Sequence, residues 1–220
     1  MKLRDRLGIG PRRQRQLAWF MEVCLVGMFF VGLYEGTTGI VVNAALALGV
    51  TQLPAVLERD LGIPMDSGLV LWITAAVFLH VFGSVGLPGV SGTPYGSTWW
   101  YDHVTHALSA SIVAAAGYAG ARAIDEHRED IYLPPRFMFV FVLSFVLAAG
   151  VFWEIIEFAV GALSSIVGAE SALTQYGLED TMLDLVFNTI GAIIVAIWGT
   201  AYLSGVVDAL TDRLDVRSRG

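Results

Sequence analysis

The amino-acid sequence predicts an all-α, polytopic membrane protein: a bundle of six transmembrane helices with both termini cytoplasmic. Three observations predict it. The 220-residue chain is 55% hydrophobic and only 15% charged, where a soluble domain carries about 25% charged residues. The apolar residues gather into six blocks, near the roughly 20 helical residues that cross a hydrocarbon core. All thirteen basic residues fall in segments that six alternating crossings would place on one side.

The blocks are Leu17–Tyr34, Gly39–Leu57, Gly68–Gly83, Trp99–Ala121, Phe137–Leu163 and Leu183–Leu203. Lys2, Arg4, Arg6, Arg12, Arg13 and Arg15 precede the first. Arg59 lies between the second and third, and Arg122, Arg128 and Arg136 lie in or border the segment between the fourth and fifth. Arg213, Arg217 and Arg219 follow the sixth. The positive-inside rule makes that side cytoplasmic. A misplaced span would scatter the charges, so their one-sidedness supports the count as well as the orientation. The expected organisation is a basic arm (1–16), one six-helix transmembrane domain (17–206) and a cytoplasmic tail (207–220), in a multi-pass protein of the cell membrane. The polar, basic start and the span-length first block argue against a cleaved signal peptide.

The outer connections follow. Tyr34–Thr38 is a tight turn, Ser84–Thr98 a Gly/Ser/Pro-rich flexible loop or lid, and Ser164–Glu179 a mixed loop. On the basic side, the DEHRED run at Asp125–Asp130 reads as a solvated loop. The one cysteine, Cys24, sits in the first block, so no intramolecular disulfide and no cysteine-based metal site exist. A net charge of −7 and the absence of any nucleic-acid-binding motif argue against nucleic-acid binding.

Chemistry concentrates where polar residues enter the spans. At 1.5 Å per helical residue, Asp102, His103 and His106 lie near the outer end of span four. Glu154 and Glu157 lie in the last turns of span five, and Asp180, Asp184 and Asn188 at the start of span six. His80 is near the outer end of span three. Segments distant in sequence thus bring their acids and imidazoles into the outer third of the membrane. Residues three and four apart share a helical surface. Asp102 and His106 therefore lie on one face, continued by Ala110, Ala114, Gly117 and Ala121. Glu154 pairs with Glu157, and Asp180, Asp184 and Asn188 form one stripe ending at Gly191. Small residues beneath each polar head suit close helix packing. His103 points about 100° away from Asp102 by helical periodicity, toward a neighbouring helix or the headgroups.

Carboxylates inside a bilayer are costly, and two glutamates one turn apart repel. A bound cation or a shared proton relieves both penalties. Carboxylates and imidazoles on facing helices are how helical bundles build metal sites, and this mixture suits Zn, Mn or Fe better than Ca. Asp102, His106, Glu154, Glu157 and Asp184 are thus the expected ligands or acid–base groups, with Asp180, Asn188 and His103 supporting them. The plain alternative for the set is a hydrogen-bonded polar core without chemistry. Asp180 and Glu179 also suit a helix N-terminus, and Glu22 suits pairing with the basic arm.

The motifs YDHVTH, WEIIEF and EDTMLDLVFNTIGA together resemble the YjdF-like family of uncharacterised bacterial and archaeal membrane proteins, and more distantly the VanZ-like membrane proteins. The likeness runs over about Trp99–Ala196, on Asp102 and His106, Glu154 and Glu157, then Asp180, Thr181 and Asp184 with Asn188 and Gly191. It sharpens the site and implies no activity. The Gln/Arg features of VanZ-like proteins are absent.

The residues therefore predict an outward-facing, metal-binding carboxylate/histidine site acting on a lipid-linked or amphiphilic substrate, as a metal-dependent membrane hydrolase or transferase. A transporter of ions, protons or small solutes would use the same acids and requires a polar path continuing inward. A structural protein would use them only to fix helix packing.

Overall fold

The computed structural model describes residues 10–86, 92–168, 171–173 and 177–218. The described residues form helices α1 (Pro11–Glu35), α2 (Thr38–Thr51), α3 (Leu53–Leu61), α4 (Ser67–Gly83), α5 (Pro94–Ser97), α6 (Tyr101–His127), α7 (Pro135–Val167) and α8 (Leu178–Ser218). Five stretches are long and apolar enough to cross a membrane: α1, α2 with α3, α6, α7 and Leu178–Gly199 of α8. The apolar helix α4 is shorter, at 17 residues. Large apolar side chains such as Phe30, Phe152 and Phe158 are more than half exposed, which suits lipid and not water.

Local chemistry sets the ends. Pro11 opens α1, where its missing N–H costs nothing. Gly36 closes α1 at φ +72°, a left-handed turn that favours glycine, and Thr37 N–H donates to Gly32 O at 2.9 Å. Asp66 caps α4, its Oδ1 accepting from the N–H groups of Gly68 and Leu69 at 2.8 and 2.9 Å.

The chain divides into two compact units. In the first, α1, α2 and α4 pack together around Leu25, Met28, Ile40, Ala44, Ala47 and Val81, with Cys24 against this core. Ser67 Oγ donates to Gln14 Oε1 at 2.8 Å and joins the starts of α4 and α1. These two helices therefore run in one direction and α2 in the other. Asn43 Nδ2 donates to Ala172 O at 2.7 Å, so this polar residue of α2 holds the segment after α7. His80 Nδ1 lies 3.0 Å from Tyr95 Oη, and Tyr101 Oη donates to Leu79 O at 2.7 Å. His80 is thus engaged in fixing α5 to α4. The outer loop expected at Ser84–Thr98 falls partly outside the described residues.

The second unit contains Leu57–Pro64, His103–Ala159 and α8. Its helices approach through glycine. A Cβ on Gly191 would stand 2.2 Å from Ala107 O, and one on Gly117 would stand 2.5 Å from the Phe145 ring. Ala110 and Ala114 are buried along the same side of α6. At the far end, His127 pairs with Asp215 and Arg213 Nη2 donates to Asp60 O at 2.6 Å. Arg122 pairs with Asp125 and Glu126, and Asp125 Oδ1 accepts from Leu133 N–H. The first part of the DEHRED run is therefore helical, because the i, i+3 and i, i+4 pairs of Arg122 carry α6 on to His127. The Ser164–Glu179 loop is likewise shorter than expected, since α7 continues to Val167 and α8 begins at Leu178. In the exposed connection beyond α6, the hydrogen bond from Arg128 draws the Asp130 carboxyl down to about 2.

The tight crossing at Gly191 generates a prediction. Gly191→Ala forces α6 and α8 apart and costs about 1–3 kcal/mol, the range for overpacking, read as a lower melting temperature in detergent. Gly161→Ala, with nothing within 4 Å of its new Cβ, is the control and does not lower stability, since an unobstructed Gly→Ala inside a helix gains about 0.5–1 kcal/mol.

Candidate functional site

The site residues His106, Glu154, Glu157 and Asp184 belong to the second unit, on α6, α7 and the start of α8, and Asp102 ends the Met65–Asp102 segment of the first unit on the same continuous helix as His106. On α7 the buried residues are Met138, Val142, Val146, Gly150, Glu154 and Glu157. This is one stripe of i, i+4 steps as far as Glu154 with a last i, i+3 step to Glu157, and it turns from apolar to acidic, so both glutamates continue the inward face. On α8, Asp184 and Asn188 are buried one turn apart, at 2% and 5% exposure. Asp180 lies in the first turn of that helix.

His106 Nε2 stands 3.6 Å from Asp184 Oδ1. Asn188 is a hydrogen-bonding neighbour of His106, and Glu154 and Asp180 act on its ring electrostatically. Asp102 precedes His106 by one turn of the continuous helix α6. One ligand atom from each of Asp102, His106 and Asp184 can be chosen so that all three lie within 4.8 Å of one another. A transition metal bound tetrahedrally at about 2.1 Å sets its ligand atoms about 3.4 Å apart. Closing the group on such an ion would draw the three side chains together by up to about 1.4 Å. This part-buried Asp–His–Asp group could hold a metal ion.

The remaining expected residues take distinct places. Glu154 Oε2 accepts from Thr181 Oγ1 at 2.9 Å. Its Oε1 is buried without a hydrogen-bond partner among the described residues. Glu157 Oε1 accepts from Trp153 Nε1 at 2.9 Å on its own helix, and Glu157 is not part of the three-residue group. His103 stacks flat on Phe187, with ring centroids 4.3 Å apart and planes 1° from parallel.

Three participants carried no assigned role in the sequence reading. Thr181 stood inside a motif, three residues before Asp184, where the same helical face was the signal. Trp153 stands four residues before Glu157, the spacing of a same-face pair. Gly150 makes room for Asn188, whose Nδ2 would lie 2.9 Å from a Cβ there.

The charge balance is one-sided. No Lys or Arg occurs between Arg59 and Arg122 or between Arg136 and Arg213. The stretches that carry the site therefore supply four carboxylates around His106 and no basic side chain. Several ionised carboxylates in one buried layer repel, and protons or a cation must neutralise them.

The Trp153 contact generates a prediction. Trp153→Phe removes one donor to the buried Glu157 and costs about 0.5–1.5 kcal/mol, the net contribution of one hydrogen bond. Trp198→Phe, at an exposed position, is the comparison. Thermal unfolding in detergent checks the difference, and equal losses in both variants contradict it.

No curated protein and no solved structure matches the chain. A family model described as predicted membrane protein (DUF2238) matches residues 16–205. The YjdF-like likeness fits that family, and nothing supports the VanZ-like one. The chain is a multi-pass membrane protein of the DUF2238 family.

Proposed function

We propose that this protein is a six-span membrane protein, with both termini cytoplasmic and one transmembrane domain over 17–206. On this reading its carboxylate/histidine group binds a divalent cation at the extracytoplasmic side. It acts there as a metal-dependent hydrolase or transferase on a lipid-linked or amphiphilic substrate. The observation that carries the reading is the convergence of Asp102, His106 and Asp184 within 4.8 Å on stretches that hold no Lys or Arg.

Two carboxylates and one imidazole suit Zn, Mn or Fe. Three protein ligands leave a coordination position open, as in catalytic and not structural sites. Such an ion would polarise a carbonyl or phosphoryl oxygen and activate water. Asp102, His106 and Asp184 would hold it, and Glu154 is the nearby carboxylate suited to accept a proton. Asp180 and Asn188 orient the imidazole, and Glu157 supports α7 through Trp153. The membrane setting and the exposed apolar side chains of α7 favour a substrate that arrives from the lipid.

Elemental analysis of the purified protein tests this. About one equivalent of Zn, Mn or Fe per chain is expected in the unaltered protein, falling to background in His106→Ala and Asp184→Asn. A folded protein that takes up no metal under any loading condition contradicts it. Liposome flux assays separate transport from catalysis, and the proposal expects no ion or proton flux.

A further inference from the structure

We propose that Thr181 is a positioning residue, which holds Glu154 as an outer-sphere partner of the Asp102–His106–Asp184 group and keeps it from being a fourth ligand. The inference rests on the metal-binding reading and assigns roles within it.

Four observations carry it. Thr181 Oγ1 donates to Glu154 Oε2 at 2.9 Å, which commits one carboxylate oxygen. The other, Oε1, is buried and has no hydrogen-bond partner among the described residues, in a side chain only 5% exposed. Glu154 acts electrostatically on His106, yet it is not one of the residues whose ligand atoms gather within 4.8 Å. Finally, Thr181 precedes Asp184 by three residues, so both lie on one face of α8. The helix that supplies a ligand thereby also sets the orientation of Glu154.

The chemistry follows from the remaining oxygen. A carboxylate held by one oxygen has the other free to accept a hydrogen bond from a water on the ion, or from an O–H or N–H of a substrate. Partners of this outer kind usually change metal affinity by about 10–100-fold, whereas loss of a ligand removes the site. Thr181 is therefore needed for its hydroxyl and not for its methyl group.

The test is a Co²⁺ titration of the full-length protein in detergent. Thr181→Val keeps the shape and removes the hydroxyl, while Thr181→Ser does the reverse. The expected result is one Co²⁺ per chain in the unaltered protein, in Thr181→Val and in Glu154→Gln. The two variants should bind about 10–100-fold more weakly, and Thr181→Ser should match the unaltered protein. Loss of the stoichiometric site in Glu154→Gln would make Glu154 a ligand and overturn the proposal. So would Thr181→Val binding as tightly as the unaltered protein, or Thr181→Ser failing to restore affinity. If the unaltered protein takes up no Co²⁺, the metal-binding reading itself fails, and this proposal with it.

Discussion

Buried carboxylates in stretches of chain without Lys or Arg are the constraint on which the rest of this structure depends. Asp184, Glu154 and Glu157 are each less than a tenth exposed, in stretches of sequence without Lys or Arg. Ionised carboxylates in such surroundings are expensive, and removing water raises the cost of each one. The helices respond with whatever neutral donors they carry: a threonine for Glu154, an indole for Glu157 and an imidazole with an amide beside Asp184. These contacts orient the acids but supply little positive charge. Shared protons or a bound cation would neutralise the charge that remains.

Packing places that charge at one level. Gly191 lets α8 come against the backbone of α6 at Ala107, one residue past His106. Gly150 opens space on α7 for Asn188, which in turn reaches His106. Small residues thus act one or two turns from the polar heads, and the close approach they permit brings carboxylates from two helices to one imidazole. From His106 to Arg122 is 16 residues of α6, about 24 Å at the helical rise. The acids and the arginines of this unit therefore occupy opposite ends. The arginine end is fastened by its own pairs, His127 with Asp215 and Arg213 with the Asp60 carbonyl.

Much of this was legible in the sequence. Helical spacing alone placed Asp102 with His106, and Asp184 with Asn188, because periodicity is fixed by backbone geometry and not by neighbours. It also separated His103 from that face, and the ring is found stacked on Phe187. The contacts that distribute roles among the acids were not legible. Thr181 with Glu154 is a contact across helices, set by helix rotation and rotamer, and no spacing encodes it. The helix ends were also misjudged, since a charged run such as Asp125–His127 looks like a loop when leaving the membrane is taken to end a helix. Charge raises the cost of burial and leaves the backbone free to continue, and the pairs of Arg122 favour continuation.

Anomalous diffraction from crystals grown with Mn²⁺ or Zn²⁺ tests the central claim most directly, because it locates the ion instead of counting it. The account predicts one strong peak per chain, bounded by a carboxylate oxygen of Asp102, an imidazole nitrogen of His106 and a carboxylate oxygen of Asp184, at about 2.0–2.2 Å from each. A peak elsewhere with these three side chains unliganded, or carboxylates of Asp102 and Asp184 that face different sides of the helices, would contradict it.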